Sequence, residues 1–287
     1  MSDTEVRPAA ARGRLRPRRL YRPQMLPTLL TMGNLFCGFL AIAYASDAMM
    51  VPRAGGFWEA ARLDLFGRAG WMIFLGMVFD LLDGHVARLA GATSPLGAQL
   101  DSLADMVTFG VAPAFLAKGI AESLGGMDDR HASLYFSVFF ALMAALRLAR
   151  YNVQHGDPEE ARFWFEGLPT PGAAGVIAGI AVVLVDCPLP LRAAVLRGLP
   201  WVTLGLGVFM ISRLPFAHFG NRLLRGRKPV HYLVVGLIVL VLTLAFRSFQ
   251  AVLAISLLGY ALSGPVVALF RYARRGRVAG ASPGGGP

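Results

Sequence analysis

Four aspartates stand close together in a chain that is otherwise rich in apolar residues. They are Asp80, Asp83, Asp101 and Asp105. The first two are three residues apart and the last two are four apart, so each pair shares one face of a helix. Between the pairs, GATSPLG at 91–97 combines glycine, serine and proline, which favours a turn. The spacing therefore predicts a helical hairpin that brings all four carboxylates together.

Such a cluster needs a compensating positive charge, because carboxylates near a bilayer repel one another and are costly to desolvate. Carboxylate oxygens are the ligands that Mg²⁺ or Mn²⁺ prefers, and two such ions would also bind a pyrophosphate and stabilise charge during phosphoryl transfer. The alternative is a solvated or salt-bridged loop. We favour the metal site, since acidic residues within membrane segments are functional by default.

The elements that carry these residues are predicted to be membrane helices. The chain has 287 residues, 55% hydrophobic and 16% charged, with a mean hydropathy of +0.55, which suits a polytopic all-α membrane bundle. Between the first two spans, 46–69 reads as a loop or a short interfacial helix. The eight candidate spans are 26–45, 70–89, 100–120, 133–149, 171–186, 199–211, 229–246 and 249–270.

The distribution of basic residues predicts orientation. The net charge of +11 could indicate nucleic acid, but the arginines lie at the ends of apolar runs rather than on one continuous face. With eight spans, most arginines and lysines fall on the side of both termini, which places the termini and the aspartates at the cytoplasmic face. We expect a membrane domain over 25–272, with disordered tails at 1–24 and 273–287.

The charged segment resembles the signature of the CDP-alcohol phosphotransferase family, which has two aspartates in DxxDGxxAR followed by GxxxDxxxD. The matching positions are Asp80, Asp83, Gly84, Ala87, Arg88, Gly97, Asp101 and Asp105. The resemblance implies a six-helix membrane core, here with about two extra helices, and a site for two divalent cations held by the four aspartates. It also implies that Asp105 doubles as general base. The CDP moiety would lie against Gly84, Ala87, Arg88 and Gly97.

Four further stretches look like the phosphatidylserine synthase branch of this family: LLTMGNLFCGFLAI, LDSLADMVTFGVAPAF, RLARYNV and FEGLPTP, at 29–42, 100–115, 147–153 and 165–171. This resemblance implies CDP-diacylglycerol and L-serine as substrates, phosphatidylserine and CMP as products, and a possible homodimer in the cytoplasmic membrane. Two alternatives remain open. One is a sister transferase that uses glycerol 3-phosphate, inositol phosphate or choline; the other is a channel or transporter whose aspartates line an ion path.

Three residues outside the signature are candidates for substrate binding. Asn34 lies within the first span, and its amide could contact the cytidine base or a neighbouring helix backbone. Arg147 and Arg150 end the fourth span. They could grip the serine carboxylate or the lipid phosphate, because a guanidinium binds such oxygens through two hydrogen bonds. The alternative for both arginines is an anchoring role at the membrane face.

Overall fold

The computed structural model describes residues 25–90, 95–125, 130–154, 165–212, 214–216 and 254–266, and these residues are almost entirely helical. The helices are α1 (Met25–Met50), α2 (Phe57–Ala90), α3 (Pro95–Asp105), α4 (Ala112–Leu124), α5 (Arg130–Gln154), α6 (Thr170–Leu184), α7 (Leu189–Ile211) and α8 (Ala254–Val266). A π-helical segment, Met106–Val111, joins α3 to α4 without a break. Two short antiparallel strands, β1 (Phe165–Glu166) and β2 (Pro215–Phe216), pair with each other.

Five stretches of this helical bundle are long and apolar enough to cross a membrane: Leu26–Met50, Phe57–Ala87, Leu96–Leu124, His131–Val153 and Leu189–Ile211. The predicted all-α polytopic membrane bundle is therefore confirmed. α6 is apolar but has 15 residues, about 22 Å of helix, which is shorter than the hydrocarbon core of about 30 Å. The seventh predicted span, 229–246, lies outside the described residues together with both predicted tails, and the eighth is described only as α8.

The expectation of a loop or short interfacial helix over 46–69 was wrong. α1 continues to Met50 and the long helix α2 begins at Phe57, so only 51–56 connect them. This stretch contains a charged residue, Arg62, that the fold buries: it is 4% exposed. Its guanidinium donates hydrogen bonds to the carbonyls of Val51, Pro52 and Ser123, which makes a buried position tolerable.

The sixth predicted span began about ten residues too late. α7 starts at Leu189, directly after Pro188 and with Pro190 in its first turn, a position where proline costs no helical hydrogen bond. Arg192 in that turn forms an ion pair with Glu59 of α2 across 2.7 Å. Because Glu59 is distant in the sequence, the stretch before residue 199 was predicted to be a connection between spans.

The helices pack through small side chains. The buried faces of α1, α2 and α6 are rich in alanine, including Ala41, Ala45, Ala69 and Ala178. α1 packs along α2, and α2 packs along α6. At Gly70, an added Cβ atom would stand 2.7 Å from the carbonyl oxygen of Ala178, so glycine lets the backbones of α2 and α6 approach closely. This close packing holds the middle of α2, on the helix that carries Asp80 and Asp83.

Candidate active site

Helices α2 and α3 bring three of the four aspartates together. One carboxylate oxygen each from Asp80, Asp101 and Asp105 lies within 4.8 Å of the others. Asp101 Oδ1 is also buried and has no hydrogen-bond partner among the described residues. Hard oxygen donors at this separation suit a divalent cation such as Mg²⁺ or Mn²⁺, and a cation would satisfy the buried oxygen of Asp101. The residues therefore fit a metal ion.

Asp83 lies at the edge of this group. Its side chain is 4% exposed, and its Oδ2 accepts a hydrogen bond of 2.8 Å from Thr31 Oγ1 on α1. It is close enough to Asp101 for the two carboxylates to interact electrostatically. The spacing of the four aspartates in the sequence predicted one cluster of four carboxylates. The structure groups carboxylate oxygens of Asp80, Asp101 and Asp105. Asp83 lies beside them and is held by Thr31, a residue that was not among the predicted site residues.

Asn34 reaches the aspartates from α1. Its side chain is fully buried, and Nδ2 donates a hydrogen bond of 3.0 Å to Asp105 Oδ1. Its Oδ1 is buried without a hydrogen-bond partner among the described residues. The amide therefore both orients Asp105 and offers an acceptor that a ligand could use. Contact with the cytidine base remains a prediction.

The π-helical segment begins directly after Asp105. Its wider turn lets Thr108, which is fully buried, donate a hydrogen bond of 2.9 Å from Oγ1 to the backbone oxygen of Asn34. Gly76 of α2 faces the same point, where an added Cβ would stand 2.6 Å from Thr108 Cγ2 and 3.1 Å from Asn34 Oδ1. α1, α2 and the π-helical segment thus meet around the Asn34 amide. Sequence reasoning missed Thr108, although a threonine within an apolar span is a signal for a polar contact.

The residues expected to contact CDP flank the aspartates along the chain. Gly84 and Ala87 are half-buried on the turns of α2 that follow Asp83, and Gly97 is half-buried in the first turn of α3. Arg88 belongs to α2, and its side chain lies outside the part of the structure that is described. The proposed contacts of all four residues with CDP remain predictions.

Arg147 of α5 lies on the same side of the bundle as the aspartates. Its NH1 donates a hydrogen bond of 2.8 Å to Thr170 Oγ1, at the first residue of α6. Arg147 is also close enough to Asp105 and to Tyr260 of α8 for electrostatic interaction. Arg150 is half-buried one turn further along α5. The arrangement places a guanidinium near the carboxylate group.

The end of α5 is tied to α3 next to the acidic group. Asn152 Nδ2 donates a hydrogen bond of 3.0 Å to Ser102 Oγ, and Ser102 directly follows Asp101. The contact joins the helix that carries Arg147 and Arg150 to the helix that carries Asp101 and Asp105. The site is therefore built from α1, α2, α3 and α5, with α6 supporting Arg147.

The chain is similar in sequence to known proteins. A model of the CDP-alcohol phosphatidyltransferase family matches residues 24–211. A protein of Helicobacter pylori named CDP-diacylglycerol–serine O-phosphatidyltransferase is 31% identical over 201 residues, which cover 68% of this chain and 73% of that protein. A Bacillus subtilis protein of the same name is 30% identical over 203 residues, 68% of this chain and 90% of its own length. One from Saccharomyces cerevisiae is 39% identical over 157 residues, 53% and 51% of the two chains.

Proposed function

Because this chain belongs to the CDP-alcohol phosphatidyltransferase family, we propose that it transfers the phosphatidyl group of CDP-diacylglycerol to the hydroxyl of L-serine. The products are phosphatidylserine and CMP. The observation that carries the proposal is the grouping of carboxylate oxygens from Asp80, Asp101 and Asp105 within 4.8 Å at one end of a membrane bundle. The choice of serine rests on the names of the relatives and on the four stretches typical of the phosphatidylserine synthase branch.

The metal is a divalent cation, Mg²⁺ or Mn²⁺, and we propose two ions held by Asp80, Asp83, Asp101 and Asp105. When bound, such ions neutralise the charge of a pyrophosphate group and stabilise the charge that develops as phosphoryl transfer proceeds. The buried Oδ1 of Asp101 supports this assignment, because it has no hydrogen-bond partner in the described part of the chain and an isolated buried carboxylate oxygen is costly. Asp83, held by Thr31, would complete the ligand set at the edge of the group.

Asp105 is the proposed general base. It accepts the proton of the serine hydroxyl while the hydroxyl oxygen attacks the phosphorus that bears the diacylglycerol. The new phosphorus–oxygen bond forms to serine, the bond to the bridging oxygen of CMP breaks, and CMP leaves with that electron pair. Asn34 holds Asp105 through the 3.0 Å hydrogen bond to Oδ1 and leaves the second carboxylate oxygen to receive the proton.

Substrate binding uses the residues around this centre. Gly84, Ala87 and Gly97 leave space beside the aspartates for the CDP moiety, and Arg88 and Asn34 supply polar contacts to it. Arg147, with Arg150 one turn away, binds the serine carboxylate or the lipid phosphate, because a guanidinium can donate two parallel hydrogen bonds to such groups. Its hydrogen bond to Thr170 and its proximity to Asp105 support this role.

The protein would act in the cytoplasmic membrane, with both termini and the aspartates facing the cytoplasm, where serine and CMP are soluble. The excess of arginine and lysine on the side of the termini supports this orientation. The membrane domain would extend over 25–272 between two tails, 1–24 and 273–287, and it would assemble as a homodimer, as the family resemblance suggests.

The proposed function is tested by CMP release from CDP-diacylglycerol with the detergent-purified full chain. Serine, glycerol 3-phosphate, inositol phosphate and choline are offered separately, each with Mn²⁺, with Mg²⁺ and with EDTA. We expect CMP release with serine and a divalent cation only. Release with another alcohol would support the transferase site at the aspartates but reject serine as the acceptor. Absence of release under every condition would reject the transferase reaction.

A further inference from the structure

A second group of charged side chains lies at the other end of α2 from the aspartates. Arg62 and Asp80 are about 27 Å apart along this helix, at 1.5 Å per residue, which is close to the thickness of a hydrocarbon core. Around Arg62 there is a cavity of about 220 Å³, large enough for several waters at about 30 Å³ each. Its charged and polar lining comprises Arg53, Glu59, Arg62, Ser123 and Arg192.

The charge of Arg62 is not neutralised by a carboxylate among the described residues. Its side chain is 4% exposed, and its terminal nitrogens donate to the backbone carbonyls of Ser123, Val51 and Pro52. These hydrogen bonds hold the guanidinium at the end of α4 and against the 51–56 connection, but the acceptors are neutral. A buried cation of this kind is stabilised when an anion binds next to it.

The rest of the lining is also positively charged. Arg192 forms the 2.7 Å ion pair with Glu59. Arg53 is exposed on the connection between α1 and α2. Three arginines of the described lining therefore face one acid. Both α2 and α7 begin at this cavity, and the amide groups at a helix N-terminus add further positive potential. The cavity is thus suited to an anion.

Three buried polar atoms of the lining lack a hydrogen-bond partner within the described part of the chain. They are Ser123 Oγ and the Nε atoms of Arg62 and Arg192. Folded proteins pair the great majority of buried polar atoms. Each of these three atoms belongs to a residue that lines the cavity, so an anion bound there would lie close to donors that have no partner among the described residues. All three can donate, which favours a ligand rich in acceptor oxygens.

We propose that this cavity binds a phosphate group at the membrane face opposite the aspartates. The phosphate could belong to a phospholipid head group or be free inorganic phosphate, since both present the same oxygens. The aromatic side chains of Phe57 and Trp58, exposed in the first turn of α2, are typical of the level at which head groups lie. The site is separate from the proposed transferase centre and does not depend on the reaction assigned to it.

The first experiment titrates inorganic phosphate against the full chain in dodecyl maltoside and follows the Tm. EDTA is present so that metal-bound phosphate at the aspartates does not contribute. We expect a saturable rise in Tm for the wild type. Arg53→Gln and Arg192→Gln each remove one charged donor and should weaken the apparent Kd about tenfold or more.

Matched controls come from the same helices. Arg68→Gln on α2 and Arg197→Gln on α7 remove the same charge outside the cavity, and both should keep the wild-type Kd. Arg53 is exposed on the 51–56 connection, so its variant should fold and tests the site even if Arg192→Gln fails to fold. The proposal would be overturned if all four variants and the wild type showed the same rise in Tm with the same apparent Kd for phosphate.

A second experiment distinguishes the sources of the phosphate. Phosphatidylglycerol or diacylglycerol is added to the same micelles, and native mass spectrometry counts retained phospholipids. A Tm rise with phosphatidylglycerol alone that needs Arg53 and Arg192 would assign a lipid head group. A rise with inorganic phosphate that needs the same arginines would assign the free anion. No arginine-dependent rise in either case, with no retained phospholipid, would overturn the proposal.

The chain's own acids supply a final control. Asp128 and Asp129 follow Ser123 closely in the sequence and lie outside the described residues. Phosphate binding to an Asp128→Asn, Asp129→Asn double variant, with no binding to the wild type, would mean that these carboxylates occupy the cavity in the wild type. That result would show that the proposal is wrong. We expect the double variant to bind phosphate with the wild-type Kd.

Discussion

Asn34 Nδ2 on α1 donates a hydrogen bond of 3.0 Å to Asp105 Oδ1 on α3, and so joins two residues that are 71 positions apart in the chain. The bond fixes the rotamer of the proposed general base from a different helix. Thr108 in turn holds the backbone of Asn34. The position of Asp105 is therefore set by α1 and by the π-helical segment as well as by its own helix.

Removal of the amide should lower turnover. We expect Asn34→Ala to reduce kcat for CMP release by about 10- to 100-fold, the range typical for partners that orient metal ligands. Phe36→Ala, an exposed change on the same helix, should stay within about twofold of the wild type. Turnover of Asn34→Ala within about twofold of the wild type would contradict the positioning role. A loss confined to the KM for CDP-diacylglycerol would instead favour contact with the cytidine base.

Gly76 should not tolerate a methyl group. Its Cβ would stand 2.6 Å from Thr108 Cγ2 and 3.1 Å from Asn34 Oδ1, so the side chains that position Asp105 must shift. We expect Gly76→Ala to lower both the Tm and the kcat. Gly205→Ala on α7 is the matched control, because its added Cβ would have no described atom within 4 Å apart from the local backbone of its own helix. Equal Tm and activity in the two variants would show that the helices around Asn34 are not closely packed.

Thr31 should influence metal affinity through Asp83. The Thr31→Val change removes the 2.8 Å hydrogen bond to Asp83 Oδ2 and leaves a buried carboxylate oxygen without its donor. We expect the Mn²⁺ concentration for half-maximal CMP release to rise about 10- to 100-fold. Thr203→Val, which removes a buried hydroxyl bonded within α7, should leave it unchanged. An unchanged Mn²⁺ requirement in Thr31→Val would argue against Asp83 as a ligand.

Arg147 should affect serine more than the lipid nucleotide if it binds the serine carboxylate. We expect Arg147→Ala to raise the KM for serine about tenfold or more, since a charge-assisted hydrogen bond is lost. A rise in the KM for CDP-diacylglycerol would assign Arg147 to the lipid phosphate. Arg197→Ala, an exposed arginine on α7, should change neither value. Unchanged KM values for both substrates would favour an anchoring role at the membrane face.

The acidic group and most helices were predictable from the sequence because their signals are local. The spacing of Asp80 with Asp83 and of Asp101 with Asp105 defines helix faces, and the apolar runs define spans. Partners from distant helices were not predictable. Thr31 and Thr108 gain their importance only when α1 packs against α2 and the π-helical segment, and no spacing rule relates residues 52 or 74 positions apart.

Charged residues explain the two errors in helix bounds. Arg62 and Arg192 both lie in stretches that were predicted to connect spans, and an unpaired charge is unfavourable in a membrane helix. The structure supplies carbonyl oxygens to Arg62 and a carboxylate from Glu59 to Arg192. Both partners come from other elements, so a local pattern of charge could not distinguish a buried, bonded arginine from an exposed one.

The central claim is that the aspartate group performs a metal-dependent transfer to serine, and incorporation of labelled serine into lipid tests it most directly. Wild type, Asp105→Asn and Glu122→Gln are compared with Mn²⁺ and with EDTA; Glu122 is an acid of the same span, paired with Lys118 away from the group. We expect Mn²⁺-dependent phosphatidylserine formation by the wild type and Glu122→Gln, and a loss of about 10³-fold or more in Asp105→Asn. Full labelling by Asp105→Asn, or labelling by the wild type that persists in EDTA, would contradict the claim.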